Sequence, residues 1–390
     1  MAVETIKKLA ASYFEAYRSI RRHLHAHPEL SFKEYETAAY VREHLSALGI
    51  EHSTIGETGV VAMLQGKPSS RVVALRADMD ALPIQEENKV DYASLQPGVM
   101  HACGHDVHTS CLLGAARILH ELRHEWEGTL KLIFQPGEEK NPGGASILMR
   151  EGVLENPTPE RIYALHVHPQ LEVGKLGFVA GKVMASADEL YITVKGKGGH
   201  AAKPNLTADT ILTASQMVVA LQQVVSRNNN PFSPSVLSIC AVNGGFTTNV
   251  IPSEVKLMGT FRAMDEKWRF EAHDRIKKIV QDVASAHGAE ATLEISVGYP
   301  AVINDQQLVD GARILACELI GSEKTVEAEL SMGAEDFGYY TQAIPGCFFR
   351  LGTGNVSRGI TSGVHTPTFD VDEEAMKTGI AMMAYLGMKG

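Results

Sequence analysis

The stretch MHACGHDVHTSCLLGAARILHELRHEWEGTLKLIFQPGEE, from Met100 to Glu139, decides the fold. It opens on a cluster of cysteine and histidines. Val107, Cys111, Ala115, Ile118 and Leu122 then recur every three to four residues, which predicts a helix over 104–123 with one apolar face. Leu130 to Phe134 is short and mostly apolar, which predicts a strand. It runs into Gln135-Pro136-Gly137-Glu138-Glu139. A helix feeds a strand here, and a polar cluster stands before one and after the other.

The same alternation continues outward. Ile6, Leu9, Tyr13, Tyr17, Ile20 and Leu24 make an apolar stripe that predicts an amphipathic helix over 3–25, ending near Pro28. A second helix is expected over 33–48, with Gly49 as its left-handed stop. Residues 60–64 and 71–77 read as strands, the latter closing on Asp78-Met79-Asp80. Downstream, 144–151 reads as a short helix and 162–167 as a strand bearing His166. Strands alternating with helices predict an α/β sheet covered by helices on both faces. Chemistry in such sheets collects at the carboxyl ends of strands. The polar clusters after Ala77, after Phe134 and at His166 fall there.

The middle of the chain changes character. Residues 190–197 alternate apolar and polar, as a strand with one wet face does. A helix over 208–226, strands over 236–242 and 254–262, a helix over 267–287 and a strand over 291–297 follow. This β-α-β-β-α-β order is that of a small ferredoxin-like sheet. The expected organisation is therefore two domains, 1–180 with 296–390 and an insert over 181–295, with further helices near 306–320 and 373–387. A length of 390 residues agrees, since it exceeds what one core usually supports.

Composition removes some functions. A net charge of −10 without a Lys/Arg run argues against nucleic acid, which needs a clustered basic face. Cys103, Cys111, Cys240, Cys317 and Cys347 are odd in number and scattered, so a disulfide framework is not expected and a reducing compartment is. Charges interrupt the first 24 residues, MAVETIKKLAASYFEAYRSIRRHL, so no signal peptide is expected there. No run reaches the ~20 apolar residues of a membrane span. These readings point to a cytoplasmic protein.

Chemistry gathers at five places. In MHACGHDVH, three histidines, Cys103 and Asp106 form the inventory of a transition-metal site. A thiol at Cys103, just before a helix and beside a metal, would ionise easily. Asp78 or Asp80 could orient a metal-bound imidazole or bridge ions, or simply cap the next turn. Of the adjacent Glu138 and Glu139, one could bind metal while the other takes the proton of an attacking water. A solvated loop gives the same pair. His166 and His365 are each unremarkable alone, but the set supplies enough N, O and S donors for two ions.

RRHLHAHPELSFKEYET, RADMDALPI, MHACGHDVH, QPGEEKNPGGA, ALHVHP, GGHAAKP, TTNVIP, SMGAEDFGYY and HTPTF occur in this order. The chain thereby resembles, over nearly its whole length, the M20 family of metallopeptidases in its amidohydrolase branch. That branch contains hippurate hydrolases, N-acetylamino-acid and N-acetyldiaminopimelate deacetylases, and auxin-conjugate hydrolases. The resemblance implies a zinc-peptidase-like α/β/α catalytic domain with an inserted ferredoxin-like dimerisation, or lid, domain. It implies two divalent ions, Zn or Mn with Co or Ni also suited, held by Cys103, His105, Glu139, His166 and His365, with Cys103 as the bridge. Glu138 becomes the general base. The family's His-x-Asp stands here as Asp78-Met79-Asp80, and either aspartate can match the orienting one. His200 of GGHAAKP matches a histidine that reaches a partner's active site in a homodimer and stabilises the oxyanion. Asn249 matches a polar residue of the same region, and Gly333 with its neighbours matches the acyl or side-chain pocket. Arg262 is a candidate for the substrate carboxylate through its two-pronged fork, or else a strand-surface charge. Lys140, where the branch has glycine, and His168, where it often has Trp, depart from the pattern and bear on pocket shape. The activity implied is metal-dependent hydrolysis of small N-acyl amino acids, of acetyl or benzoyl type. A dipeptidase or carboxypeptidase is the alternative. A metal-binding protein without catalysis would have no use for Glu138.

Overall fold

The computed structural model describes residues 2–390. Contacts divide them into two units: residues to Val183 with Ile303–Leu330 and Tyr339–Gly390, and Met184–Val302 with Ser331–Gly338.

The first unit is built on an eight-stranded sheet. Its strands lie in the order Glu51–Ile55, Gly59–Gln65, Glu127–Gln135, Lys67–Asp78, Arg161–Glu172, Gly346–Gly354, Leu176–Phe178 and Thr325–Glu327. The four central strands run parallel, so their carboxyl ends share one edge. Helices His105–Glu121 and Ala375–Lys389 pack on the sheet, and the long helix Ala2–Ala26 packs on both of them. Phe14, Tyr17, Leu112, Ile118, Ile380 and Met383 belong to one buried cluster with Val73, Leu75 and Leu132 of the sheet. Gly49 ends the second helix at φ +70°, a conformation that costs glycine little.

Four strands of this sheet have no counterpart in the sequence reading: Glu51–Ile55, Gly346–Gly354 and the three-residue Leu176–Phe178 and Thr325–Glu327. Every residue of GCFFRLGTG is buried. A strand covered on both faces has no polar side to alternate with, and its glycines look like turn residues.

The second unit has a four-stranded antiparallel sheet in the order Ser235–Asn243, Glu254–Ala263, Asp188–Lys195, Glu290–Val297. Helices Thr210–Leu221 and Glu266–Ala286 pack on it, completing the β-α-β-β-α-β order. Leu190, Ile192 and Val194 are buried against those helices, while Glu189, Tyr191 and Lys195 between them are exposed. The first helix starts later than its apolar pattern, because the Asp209 carboxylate accepts from Ile211 N and Leu212 N and caps it. Asp265 caps the second by accepting from Trp268 N. Ser331–Gly338 also belongs to this unit, although the sequence reading placed everything beyond 295 with the first. Ala185 N donates to the carbonyls of Ser331 and Gly333, at 3.2 and 3.0 Å. Backbone bonds of this kind leave no trace in side-chain pattern.

Candidate metal centre and active site

The centre lies in the first unit, where parallel strands end side by side. Asp78 is in register with Gln135, so the loop bearing Glu138 and Glu139 leaves the sheet beside Asp78-Met79-Asp80. Gly104, at φ +83°, starts the helix that follows Cys103. A Cβ on Gly104 would come within 2.5 Å of Val167 Cγ2. Glycine there lets the Cys103–His105 turn settle against the strand that carries His166. The loop of His365 is tied in by its own backbone, whose N–H donates to Ala102 O at 2.7 Å.

All five expected ligands converge. Cys103 Sγ lies 3.4 Å from His166 Nε2, and His365 Nε2 lies 3.1 Å from Glu139 Oε1. His105 Nε2 is 4.0 Å from both Glu139 Oε1 and Glu138 Oε2. The donor atoms of Cys103, His105 and His166 fall within 4.8 Å of one another, and so do those of Cys103, Glu139 and His365. The two groups share Cys103. His365 sits at the exposed rim, at φ +62°, and the others are buried or half-buried.

The second nitrogen of each inner imidazole is already engaged. His166 Nδ1 donates to Val167 O at 2.7 Å and His105 Nδ1 donates to Asp80 Oδ1 at 3.1 Å, so both turn Nε2 inward. His105 Nε2 is buried without a hydrogen-bond partner among the described residues, and Glu139 Oε1, though 3.1 Å from His365 Nε2, makes no bond of hydrogen-bonding geometry. Buried polar atoms are rarely left so, unless an ion or water completes them. Electrostatics agree. Burial, with Glu139, Glu138 and Asp78 nearby, holds the Cys103 thiol far above its ordinary range. Burial, with His108 and Arg350, keeps His166 neutral and its lone pair available. Burial pulls His105 down, but Asp78, Asp80 and Glu139 outweigh it and lift it to about 10. Thiol, carboxylates and imidazole thus surround a point that favours positive charge, and the residues fit a cation site.

The two aspartates have different surroundings. Asp80 contacts His105, while its Oδ2 accepts from Ser31 Oγ at 2.6 Å and Glu139 N at 2.9 Å. Asp78 pairs with Arg76 Nη1 at 2.6 Å and with His108 Nδ1 at 2.5 Å. His108 Nε2 in turn accepts from Val167 N at 2.9 Å, so both nitrogens of His108 are occupied away from the ligand set. The sequence reading missed Arg76, a buried charge inside the otherwise apolar run 72–77, which was the available signal. It also missed Arg21, whose Nε lies 2.8 Å from Asp106 Oδ2 and which anchors the start of the His105 helix. Glu34 was missed too, and burial together with Asp80 pushes its carboxyl up to about 7.

His200, Asn249, Arg262 and Gly333 all lie in the second unit. His200 pairs with Val250 in a two-stranded ladder, and Ala201 N donates to Asn249 O at 3.0 Å, so His200 and Asn249 are neighbours. Both are exposed. Arg262 is half-buried on the strand Glu254–Ala263, with Nε donating to Thr260 Oγ1 at 3.1 Å. Gly333 donates its N–H to Ser331 Oγ at 3.0 Å.

The model of peptidase family M20/M25/M40 matches residues 74–389. The chain belongs to this family. An N-acyl-L-amino acid amidohydrolase of Geobacillus stearothermophilus is 45% identical over 305 residues, 78% of this chain and 82% of that protein. An N-acetylcysteine deacetylase of Bacillus subtilis is 40% identical over 372 residues, 95% of each chain. Among solved structures, a dinuclear metal binding peptidase from family M20 of Bacillus subtilis superposes with a TM-score of 0.84 at 36% identity, covering 97% of this chain and 98% of that one. This member of family M20 is therefore a metal-dependent hydrolase of amide bonds.

Proposed function

We propose that this protein cleaves N-acyl amino acids, of acetyl or benzoyl type, into a carboxylic acid and a free amino acid. The observation that carries this reading is the buried His105 Nε2, which has no hydrogen-bond partner and faces Glu138 and Glu139, beside the donor cluster of Cys103, His166 and His365. The names of the similar amidohydrolase and deacetylase support the substrate class.

In this reading Cys103, His105, Glu139, His166 and His365 hold two divalent ions, Zn or Mn, with Co or Ni also suited to mixed N, O and S donors. Such ions, when bound, supply Lewis acidity that lowers the pKa of a water and polarises the amide carbonyl. Glu138 takes the proton of the attacking water and returns it to the leaving amine. Asp80 fixes His105 in the tautomer that presents Nε2. Asp78, paired with the Arg76 guanidinium and accepting from His108 Nδ1, supports the floor of the site and does not touch the reacting atoms. Arg262 receives the substrate carboxylate, and Asn249 and Gly333 line its pocket. The molecule acts as a homodimer in the cytoplasm, with His200 of one copy steadying the oxyanion in the other.

The test is amine release from a panel of N-acetyl and N-benzoyl amino acids, with chelator and then with restored Mn or Zn. Release that chelator abolishes and metal restores is expected. Release from dipeptides alone would replace the acyl-amino-acid reading with a peptidase. In Glu138→Gln, bound metal should persist while turnover falls roughly 10²–10⁴-fold. Near-normal turnover there would remove Glu138 as the base.

A further inference from the structure

The segment Ser31–Glu34 lies far from the centre in sequence, yet it grips the loop that carries Glu138 and Glu139. Glu34 is fully buried. One of its oxygens accepts from Phe32 N at 2.9 Å and from Gly137 N at 2.8 Å. The other accepts from the buried Thr58 hydroxyl at 2.7 Å. The carboxyl group thus serves three N–H and O–H donors rather than a cation. Gly137 is pinned on its other side as well, because its carbonyl accepts from Gly144 N at 2.9 Å.

Two further contacts act on the same loop. Phe32 holds φ +65°, a conformation that a side-chain-bearing residue adopts only when its surroundings impose it. Its ring lies where a side chain on residue 137 would go: a Cβ there would come within 2.2 Å of Phe32 Cε1. Gly137 itself stands at φ +61°. Ser31 donates to the Asp80 oxygen that also accepts from Glu139 N. Glu34 and Phe32 therefore act directly on Gly137, and Ser31 acts on Glu139 through the Asp80 carboxylate they share, so both residues flanking Glu138 are held.

We infer that Glu34 is a positioning residue for the reaction, which through the N–H of Gly137 sets the turn that aims Glu138 at the attacking water. This inference rests on the reading of Glu138 as the base. A carboxylate next to a purely structural anchor would tolerate small shifts. A general base does not, since a displacement of about 1 Å can cost roughly 10²-fold in rate.

The experiment compares Glu34→Ala, Glu34→Gln and Glu138→Gln for kcat, KM and bound metal. Glutamine at position 34 can keep all three bonds, with its oxygen accepting from both backbone N–H groups and its amide donating to the Thr58 hydroxyl. Glu34→Ala is expected to lose about 10- to 100-fold in kcat with KM changed by no more than about twofold and metal content unchanged. Glu34→Gln is expected to stay within about threefold of the parent. Parent-like kcat in Glu34→Ala, while Glu138→Gln is inactive, would overturn the positioning role alone. Equal loss in both Glu34 variants, together with loss of metal, would reduce Glu34 to a structural residue and overturn it too. Near-normal turnover in Glu138→Gln would instead overturn the reading beneath it. If Glu34→Ala does not fold, Gly137→Ala decides the question. Its methyl meets the Phe32 ring, so kcat should fall, and adding Phe32→Gly should recover part of it. Failure of either effect overturns the inference.

Discussion

A histidine presents one nitrogen to a metal dependably only when its other nitrogen is committed elsewhere, and the two inner histidines are committed to different partners. His166 uses the carbonyl of Val167, while His105 uses Asp80. A carbonyl fixes the tautomer, whereas a carboxylate also raises the basicity of the ring. Asp80→Ala is therefore expected to weaken metal binding by about 10–100-fold. Competition against a chelator of known affinity measures this, and unchanged affinity would show that Asp80 does not serve His105. Sequence could not choose between Asp78 and Asp80, because two residues so close at one strand end both reach the same neighbourhood. In the structure Arg76 claims Asp78 from the same strand, and Ser31 reaches Asp80 from a turn far away in sequence.

At the scale of elements, periodicity and apolar runs located the helices and most strands, the buried Glu127–Gln135 and Arg161–Glu172 among them, but missed short or exposed strands and the glycine-interrupted Gly346–Gly354. The strand Asp188–Lys195 alternates and was legible, whereas Gly346–Gly354 is buried throughout and was not. The same strand Asp188–Lys195 is tied to the helix Glu266–Ala286 by a buried charge cluster. Asp188 accepts from Arg269 Nε at 2.9 Å, contacts His273 Nε2 at 2.7 Å, and accepts from Gly298 N at 3.1 Å. Burial alone would raise the Asp188 carboxyl, but Arg269 and His273 outweigh it and hold it below its ordinary value. With the folded pKa depressed, the unfolded chain takes up this proton first as pH falls. The stabilisation is complete above the unfolded value of about 3.9 and is lost as pH drops through the folded one. Asp188→Asn should cost about 3 kcal/mol at neutral pH, by leaving the buried Arg269 with only the partly exposed Glu266 as counter-charge. Urea midpoints taken with chelator present, so that ligand protonation does not enter, should show the gap between parent and variant shrinking below pH 4. A gap that is constant with pH would contradict the assignment.

At the scale of the whole molecule, the proposed homodimer makes its own prediction. If His200 acts across subunits, mixing inactive His200→Ala with inactive Glu138→Gln should restore up to roughly a quarter of parental activity, as random pairing puts intact groups at one site in half of the dimers. Demonstrated mixed dimers without activity would show that His200 does not act in trans. That the chain forms two units, and that metal-binding residue types gather at strand ends, was already legible in the sequence. Apolar periodicity is a local property of the chain, and the affinity of Cys, His and Glu for divalent ions belongs to the residue types themselves. Tertiary structure alone decided which imidazole nitrogen turns inward, which aspartate stands behind it, where Ser331–Gly338 belongs, and that Glu34 holds the loop of Glu138. Each of these depends on contacts between residues far apart along the chain, and neither spacing nor residue type encodes such contacts.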